Sequence, residues 1–202
     1  MGLTLITPPA VLPVSLDELK LHARVDTDDF DEDLSFKLAA AVRHVEEITR
    51  RALITQTWLV TLPRFPYGGH AIVLPKGSAQ AVNEISYLDQ AGERQTLDED
   101  DYVLSTANEP ALIVPPYLST WPDARVFLES VQIGFDCGFG DAAADVPPDL
   151  RHAVLLFAGW AFQGVESDQS LGGTETARSR AFKALWQKWK LESDEVAELV
   201  TA

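Results

Sequence analysis

The stretch that decides the fold reads DEDLSFKLAAAVRHVEEITRRA, from Asp31 to Ala52. Its apolar residues recur at spacings of three and four, the pattern of a helix with one buried face. They are Leu34, Leu38, Ala41, Val42, Val45 and Ile48. The acidic run DTDDFDED (26–33) predicts a turn and then an acidic first helical turn, where negative charge favours the helix dipole.

Two further helices are predicted around this one. Ser15-Leu-Asp-Glu18 is a capping box that begins a helix ending near Val25. Pro147-Pro148 precede another helix, since proline suits a helix start. Its apolar stripe comprises Leu150, Val154, Leu155, Ala158, Ala161 and Phe162. Residues 1–14 are broken by proline and predict an extended arm.

The middle of the chain changes to strand-like patterns that are rich in β-branched residues and separated by proline and glycine. The predicted strands are 57–62, 71–75, 82–89, 94–97, 101–105, 111–115 and 126–135. Asp89 to Gly92 predicts a hairpin turn. The fold class is therefore α+β, a helical core with an inserted antiparallel β module and a detached C-terminal helix. The predicted division is 1–54 (arm and core helices), 55–145 (β module), 146–164 (core helix) and 165–202 (linker and docking helix).

The C-terminal part combines a polar, glycine-rich segment with a basic, aromatic one. Residues 164–176 read GVESDQSLGGTET, and residues 177–190 read ARSRAFKALWQKWK, without an acid. Tryptophan and arginine are common at the centres of protein interfaces, so insertion into a groove of a partner is predicted. Two alternatives stay open: the helix covers the chain's own helices, or it lies on a membrane surface. The candidate partner-binding residues are Arg178, Arg180, Phe182, Lys183, Trp186 and Trp189.

Composition excludes several function classes. The net charge is −15, from 31 acids and 16 bases, so general coating of nucleic acid is not expected. The single cysteine, Cys137, excludes an internal disulfide and a cysteine-based metal cluster. No apolar run approaches the roughly 20 residues of a membrane helix, and the proline-broken N-terminus does not resemble a signal peptide.

No motif points to catalysis. If Asp26 began an EF-hand loop, Asp31 would stand where the glycine is needed and Lys37 where the glutamate is needed. The four histidines lack metal-site spacing, and Cys137 is flanked by Asp136 rather than by a base. No catalytic residue, cofactor or metal site is therefore predicted.

Three pieces of the chain together carry a family resemblance. They are PVSLDELKLHARVD (13–26), RALITQTW (51–58) and GFGDAAADVPPDLRHAVLL (138–156). In this order, with a β insertion between the second and the third, residues 3–165 resemble the long form of the head–tail connector (adaptor) proteins of tailed bacteriophages and gene transfer agents.

The resemblance implies a structural, non-enzymatic role in the neck of a virion or virus-like particle, for a protein made in the cytoplasm of the bacterial host. It implies a ring of copies, usually twelve in that family, beneath the portal protein. The C-terminal segment would reach the portal, and the opposite face would meet the next neck or tail component, a stopper or tail terminator. DNA would pass through the ring without specific binding, and no membrane is involved.

Two competing classes remain. A small enzyme or ligand-binding protein could use the β module, with acids near Asp98 to Asp101, although a solvated turn explains DEDD more simply. A membrane-surface anchor could use the terminal helix. Turnover would favour the first, and flotation with liposomes that depends on Trp186 and Trp189 would favour the second.

Overall fold

A computed structural model of the chain describes residues 1–164 and 177–191. The chain divides into two compact units. Among the described residues, the β unit comprises residues 1–9, 55–138 and 191, and the helical unit comprises residues 10–54, 139–164 and 177–190. Helices and antiparallel sheets are both present, which confirms the predicted α+β class.

The helical unit contains α1 (Leu16–Ala23), α2 (Asp31–Thr49), α3 (Pro148–Phe162) and α4 (Ala177–Trp186), and a 3-10 turn, Gln187–Trp189, follows α4. Helices α2 and α3 pack against each other, and α1 packs on both. The core between them is apolar and fully buried, because each helix turns its periodic apolar face inward. Its largest members are Leu19, Leu34, Leu38, Leu53, Ile54 and Leu150.

The predicted capping box is confirmed. The Ser15 hydroxyl accepts a hydrogen bond from the Glu18 backbone N–H at 3.1 Å, and the Glu18 carboxylate accepts one from the Ser15 N–H at 2.8 Å. The same carboxylate meets Arg151 of α3 at 2.5 Å, and the Arg151 Nε donates to the carbonyl of Pro13 at 2.9 Å. The start of α1 is thus tied to α3 by one charged network.

The β unit contains β1 (Gly2–Thr7), β2 (Gln56–Leu62), β3 (Ile72–Val73), β4 (Ala79–Leu88), β5 (Arg94–Thr96), β6 (Val103–Ser105), β7 (Leu112–Val114) and β8 (Val131–Cys137). All the pairings are antiparallel. A five-stranded sheet has the order β1-β2-β8-β4-β5, and a three-stranded sheet has the order β3-β7-β6. The predicted hairpin turn at Asp89 to Gly92 joins β4 to β5.

Two boundaries differ from the sequence prediction. Residues 1–9 do not belong to the helical core, because β1 pairs with β2 and extends the sheet. The β unit ends at Gly138 rather than at 145, and Phe139 already packs on the helical core. Within the predicted strand 126–135, residues 126–130 form a loop, and the pairing starts at Val131.

Candidate functional site

Helix α4 is amphipathic, and its apolar face is turned inward. Leu185 and Trp186 lie three and four residues after Phe182, so the three share one helical face. Trp189, in the 3-10 turn after α4, follows Leu185 and Trp186 at spacings of four and three. All four are partly buried against the core of the helical unit. Arg180, Lys183 and Lys190 lie on the exposed side. The predicted helix is therefore present, but it is packed on the helical unit and is not detached from it.

The receiving surface is a groove formed by three parts of the helical unit. We call it the α4 groove. It is defined by His44 within α2, Arg51 just after α2, Phe139, and Asp149, Phe157 and Trp160 of α3. The Phe182 ring lies 5.6 Å from the Trp160 ring and 5.9 Å from the Phe157 ring, between centroids. Such aromatic pairs contribute roughly 0.5–1.5 kcal/mol each beyond burial. Phe182 is thus the anchor of α4 in the groove.

Trp189 is held at the other end of the groove. Its ring meets the Phe139 ring edge to face, at 5.6 Å between centroids and 88° between planes. The Arg51 Nε donates a hydrogen bond of 2.5 Å to the Trp189 carbonyl, and the guanidinium lies 5.8 Å from the Trp189 ring centroid. Arg51 is only 6% exposed, so its charge acts where water screens little. This contact holds the end of the 3-10 turn that follows α4.

An ion pair closes the outer rim. The Lys188 ammonium contacts the Asp149 carboxylate in the first turn of α3. Their side chains are 61% and 40% exposed, so solvent screens the pair and its contribution is about 0.2–1 kcal/mol. The ion pair therefore contributes little to the stability of the docked helix and mainly fixes its orientation.

His44 lines the groove as a flat ring. It stacks on Phe157 at 4.2 Å between centroids with an 18° tilt, and Phe182 lies beyond it at 6.2 Å. Burial lowers the pKa of His44, against a smaller opposing effect of Glu47. The imidazole is therefore neutral at neutral pH and packs as an aromatic ring.

The docked helix leaves two polar groups without partners. The indole nitrogens of Trp186 and Trp189 are buried, and neither has a hydrogen-bond acceptor among the described residues. A buried donor without an acceptor costs about 1–3 kcal/mol. The α4 groove therefore packs against the two indole rings but provides no acceptor for their N–H groups.

The candidate residues named from the sequence thus divide. The apolar ones, Phe182, Trp186 and Trp189, lie together in the groove, whereas Arg180 and Lys183 face outward. Arg178 lies in the first turn of α4, and its side chain is outside what the structure describes. The groove residues themselves were not predicted. Phe157 and Trp160 lie on α3 outside the apolar stripe named from the sequence, so helical periodicity gives no signal for them.

No catalytic constellation is found in residues 1–164 and 177–191. Asp98 and Asp101 cap a 3-10 turn, Glu99–Asp101, on the surface, as the simpler interpretation of DEDD expects. No group of three or more histidine, cysteine or acidic side chains in the described part could hold a metal ion. A cavity of about 360 Å³ in the helical unit is mainly apolar, and its one carboxylate, Glu18, is bound to Arg151 and Ser15. None of the helices described here is long and apolar enough to span a membrane.

Comparisons with known proteins agree with this architecture. A chain in the neck of an empty GTA particle computed with C6 symmetry is 23% identical, with a TM-score of 0.77 over 95% of this chain and 96% of that one. A chain from the virion of a native gene transfer agent (GTA) particle is 23% identical, with a TM-score of 0.76 over the same shares. A chain in the neck of a native GTA particle computed with C12 symmetry is 23% identical, with a TM-score of 0.71 over 95% of this chain and 96% of that one. These likenesses establish a shared fold.

A sequence comparison adds a partial family match. None of the curated protein sequences matches the chain. The model of the family described as phage gp6-like head–tail connector protein matches residues 13–109, from the arm before α1 to the loop after β6. Over these 97 of the 202 residues the chain is similar to the phage gp6-like head–tail connector protein family.

Proposed function

We propose that the chain is a structural connector in the neck of a phage or gene transfer agent particle. The observation that carries the proposal is the shared fold. The likeness to chains found in GTA necks covers 95% of this chain. In addition, residues 13–109 match the model of a connector family.

The finer parts of the proposal concern partners. We propose that copies of the chain form a ring, that the ring binds the portal protein, and that its other face meets the next neck or tail component. The excess of 15 negative charges supports a channel wall that does not hold DNA, since DNA binding needs cations that displace counterions. The site of this role is the neck of the particle.

The portal contact is assigned to α4. Its aromatic face carries two tryptophans and a phenylalanine, the kind of side chains that dominate interface energetics. Arg178, Arg180 and Lys183 add positive charge that suits acidic side chains of a portal. The membrane alternative is less well supported, because the apolar face of α4 is turned toward protein.

The experiment is co-sedimentation of the full chain with the cognate portal ring. The test variant is W186A/W189A, and the matched control is Phe36→Ala, which removes an aromatic side chain that is 74% exposed on α2. We expect the wild type and the control to bind and the test variant to lose at least tenfold in affinity, the effect of removing interface hot spots. Equal binding by all three would keep the connector and refute α4 as the contact. Binding to liposomes instead of the portal would refute the portal role itself.

A further inference from the structure

The face of α4 that the proposed function assigns to the portal is already occupied in the isolated chain. Phe182, Trp186 and Trp189 cannot lie in the α4 groove and in a partner's groove at once. We infer that α4 is a latch: it is stored on its own helical unit and binds a partner by exchange, and the partner site supplies acceptor oxygens for two indole N–H groups. This inference rests on the proposed portal contact and adds its regulation and its chemistry.

The unpaired indoles give the exchange its direction. In the α4 groove the nitrogens of Trp186 and Trp189 are removed from water and receive no acceptor from the described residues. A partner that buries the same rings and also accepts from both nitrogens makes two hydrogen bonds that the stored state lacks. Differential interaction of this kind is what allows a ligand to shift a conformational equilibrium. A partner site that also accepts from both indoles would therefore bind α4 more strongly than the α4 groove does.

The contacts in the groove indicate what the partner must offer. It needs an apolar wall for Phe182, as Phe157 and Trp160 provide here. It needs carboxylates, because Asp149 pairs with Lys188 and because carboxylate oxygens also accept from indoles. An acidic cleft with an aromatic or aliphatic floor meets these requirements. A basic or purely aliphatic cleft does not.

The number of residues before α4 sets how far the helix could travel. Twelve residues, 165–176, separate the end of the described α3 region from α4. A segment of that length reaches at most about 40 Å when fully extended. Helix α4 can thus leave the groove for a site on an adjacent molecule while its chain stays attached.

The latch is tested first without any partner, by hydrogen exchange of the full chain. Trp160→Ala removes a groove ring that faces Phe182 and should raise the exchange of residues 177–190 roughly two- to tenfold. Asp149→Asn removes only the rim ion pair, leaves the fold intact because the side chain is 40% exposed, and should raise exchange by up to about fivefold. Exchange of residues 177–190 in the wild type at the rate of an unstructured peptide would overturn the latch.

The exchange is tested with the cognate portal ring and two kinds of variant. Asp149→Asn changes the groove and leaves α4 itself unchanged. It should therefore increase the affinity for the portal by the same factor by which it increases the exchange of residues 177–190. Trp186→Phe and Trp189→Phe keep a ring and remove only the N–H. They should leave exchange of residues 177–190 unchanged or slower, yet weaken portal binding roughly three- to tenfold.

The control is Trp58→Phe, which removes another buried indole N–H without an acceptor, in the β unit. It should change neither measurement. Portal binding that Asp149→Asn leaves unchanged, or that both phenylalanine variants leave unchanged, would overturn the exchange while the connector role stands. Failure of the wild type and of every variant to bind the portal would overturn the proposed contact and the exchange together, and hydrogen exchange would then decide the latch alone.

Discussion

Replacement of Arg151 by methionine should destabilise the helical unit strongly, although the Arg151 side chain is 30% exposed. The guanidinium makes two contacts with residues more than a hundred positions away. It donates at 2.9 Å to the Pro13 carbonyl and at 2.5 Å to the Glu18 carboxylate. Methionine keeps much of the apolar stem, so the substitution removes the charge and the donors rather than the packing.

The magnitude follows from the two contacts. A hydrogen bond between a charged donor and a carbonyl is worth about 1.5–3 kcal/mol. The Glu18 pair is part-exposed, at 30% and 43%, so solvent screening limits it to about 0.2–1 kcal/mol. The sum is roughly 2–4 kcal/mol, a large share of the 5–15 kcal/mol by which domains are usually stable.

The assay is urea unfolding at neutral pH, followed by far-ultraviolet circular dichroism, with Arg151→Met, Glu18→Gln and the double variant. Glu18→Gln alone should cost less, and the coupling between the two sites should match the screened ion pair. The pKa of Glu18 is lowered, first by the hydrogen bond from the Ser15 backbone and then by Arg151. Its contribution is therefore present above the unfolded pKa and is lost as the pH falls through the folded one. A loss below about 1 kcal/mol for Arg151→Met would refute the reasoning, because the carbonyl of Pro13 would then be satisfied without it.

Three further predictions follow from the same helical unit. Phe182→Ala should raise amide exchange in residues 177–190 by about tenfold or more while α2 stays protected, and Arg180→Ala, on the exposed side, should not. The pKa of His44 is lowered by burial, so docking should be complete above pH ~6.5 and weaken as the pH falls below it; His44→Phe should remove that pH dependence of exchange. Ser15→Ala should lower the free energy of unfolding in urea by about 1 kcal/mol, because the side-chain cap of α1 is lost. Ser15→Gly loses the same cap but should lower it less, because glycine is favoured over alanine at the N-cap.

The parts of the fold that were predictable are those decided within one turn or one hairpin. The capping box needs only Ser15 and Glu18, three residues apart, and both hydrogen bonds form. The hairpin at Asp89 needs only its own turn, where Gly92 adopts φ +92. The buried face of α2 is a matter of period, and Leu34 and Leu38 are fully buried as the period requires.

The loop before β8 shows where local patterns fail. VFLES (126–130) precedes VQIGF and shares its apolar, strand-like composition, so a single long strand was predicted. In the structure the Phe127 N–H donates to the Pro63 carbonyl, and Glu129 adopts φ +55, which a strand does not allow. Val126 and Leu128 are largely exposed. Pairing with neighbouring segments decides this stretch, and those neighbours are distant in sequence.

The state of α4 was unpredictable for the same reason. The helix and its amphipathic face can be recognised in residues 177–190, but the groove cannot, because Arg51 and Trp189 are 138 residues apart and meet only in the folded unit. Aromatic residues beside lysines suit a helix stored on its own chain as well as one inserted in a partner. The sequence indicates that the aromatic face of α4 is buried against protein, and only the fold shows that the helical unit buries it.

A stored helix also changes what an assembly gains from many copies. If the latch is worth about 3 kcal/mol, a free chain exposes α4 less than 1% of the time, and its apparent affinity for one portal site falls more than a hundredfold. If copies bind side by side to one portal, as we propose, contacts between neighbours would raise the effective concentration for each later exchange. If a bound neighbour also favours the open latch, the latch disfavours the first copy more than each later one. Asp149→Asn should therefore increase binding of single copies at low occupancy more than it increases completion of the ring, and titration of portal occupancy by native mass spectrometry measures this. Equal gains at every occupancy would mean that the latch opens independently of neighbouring copies.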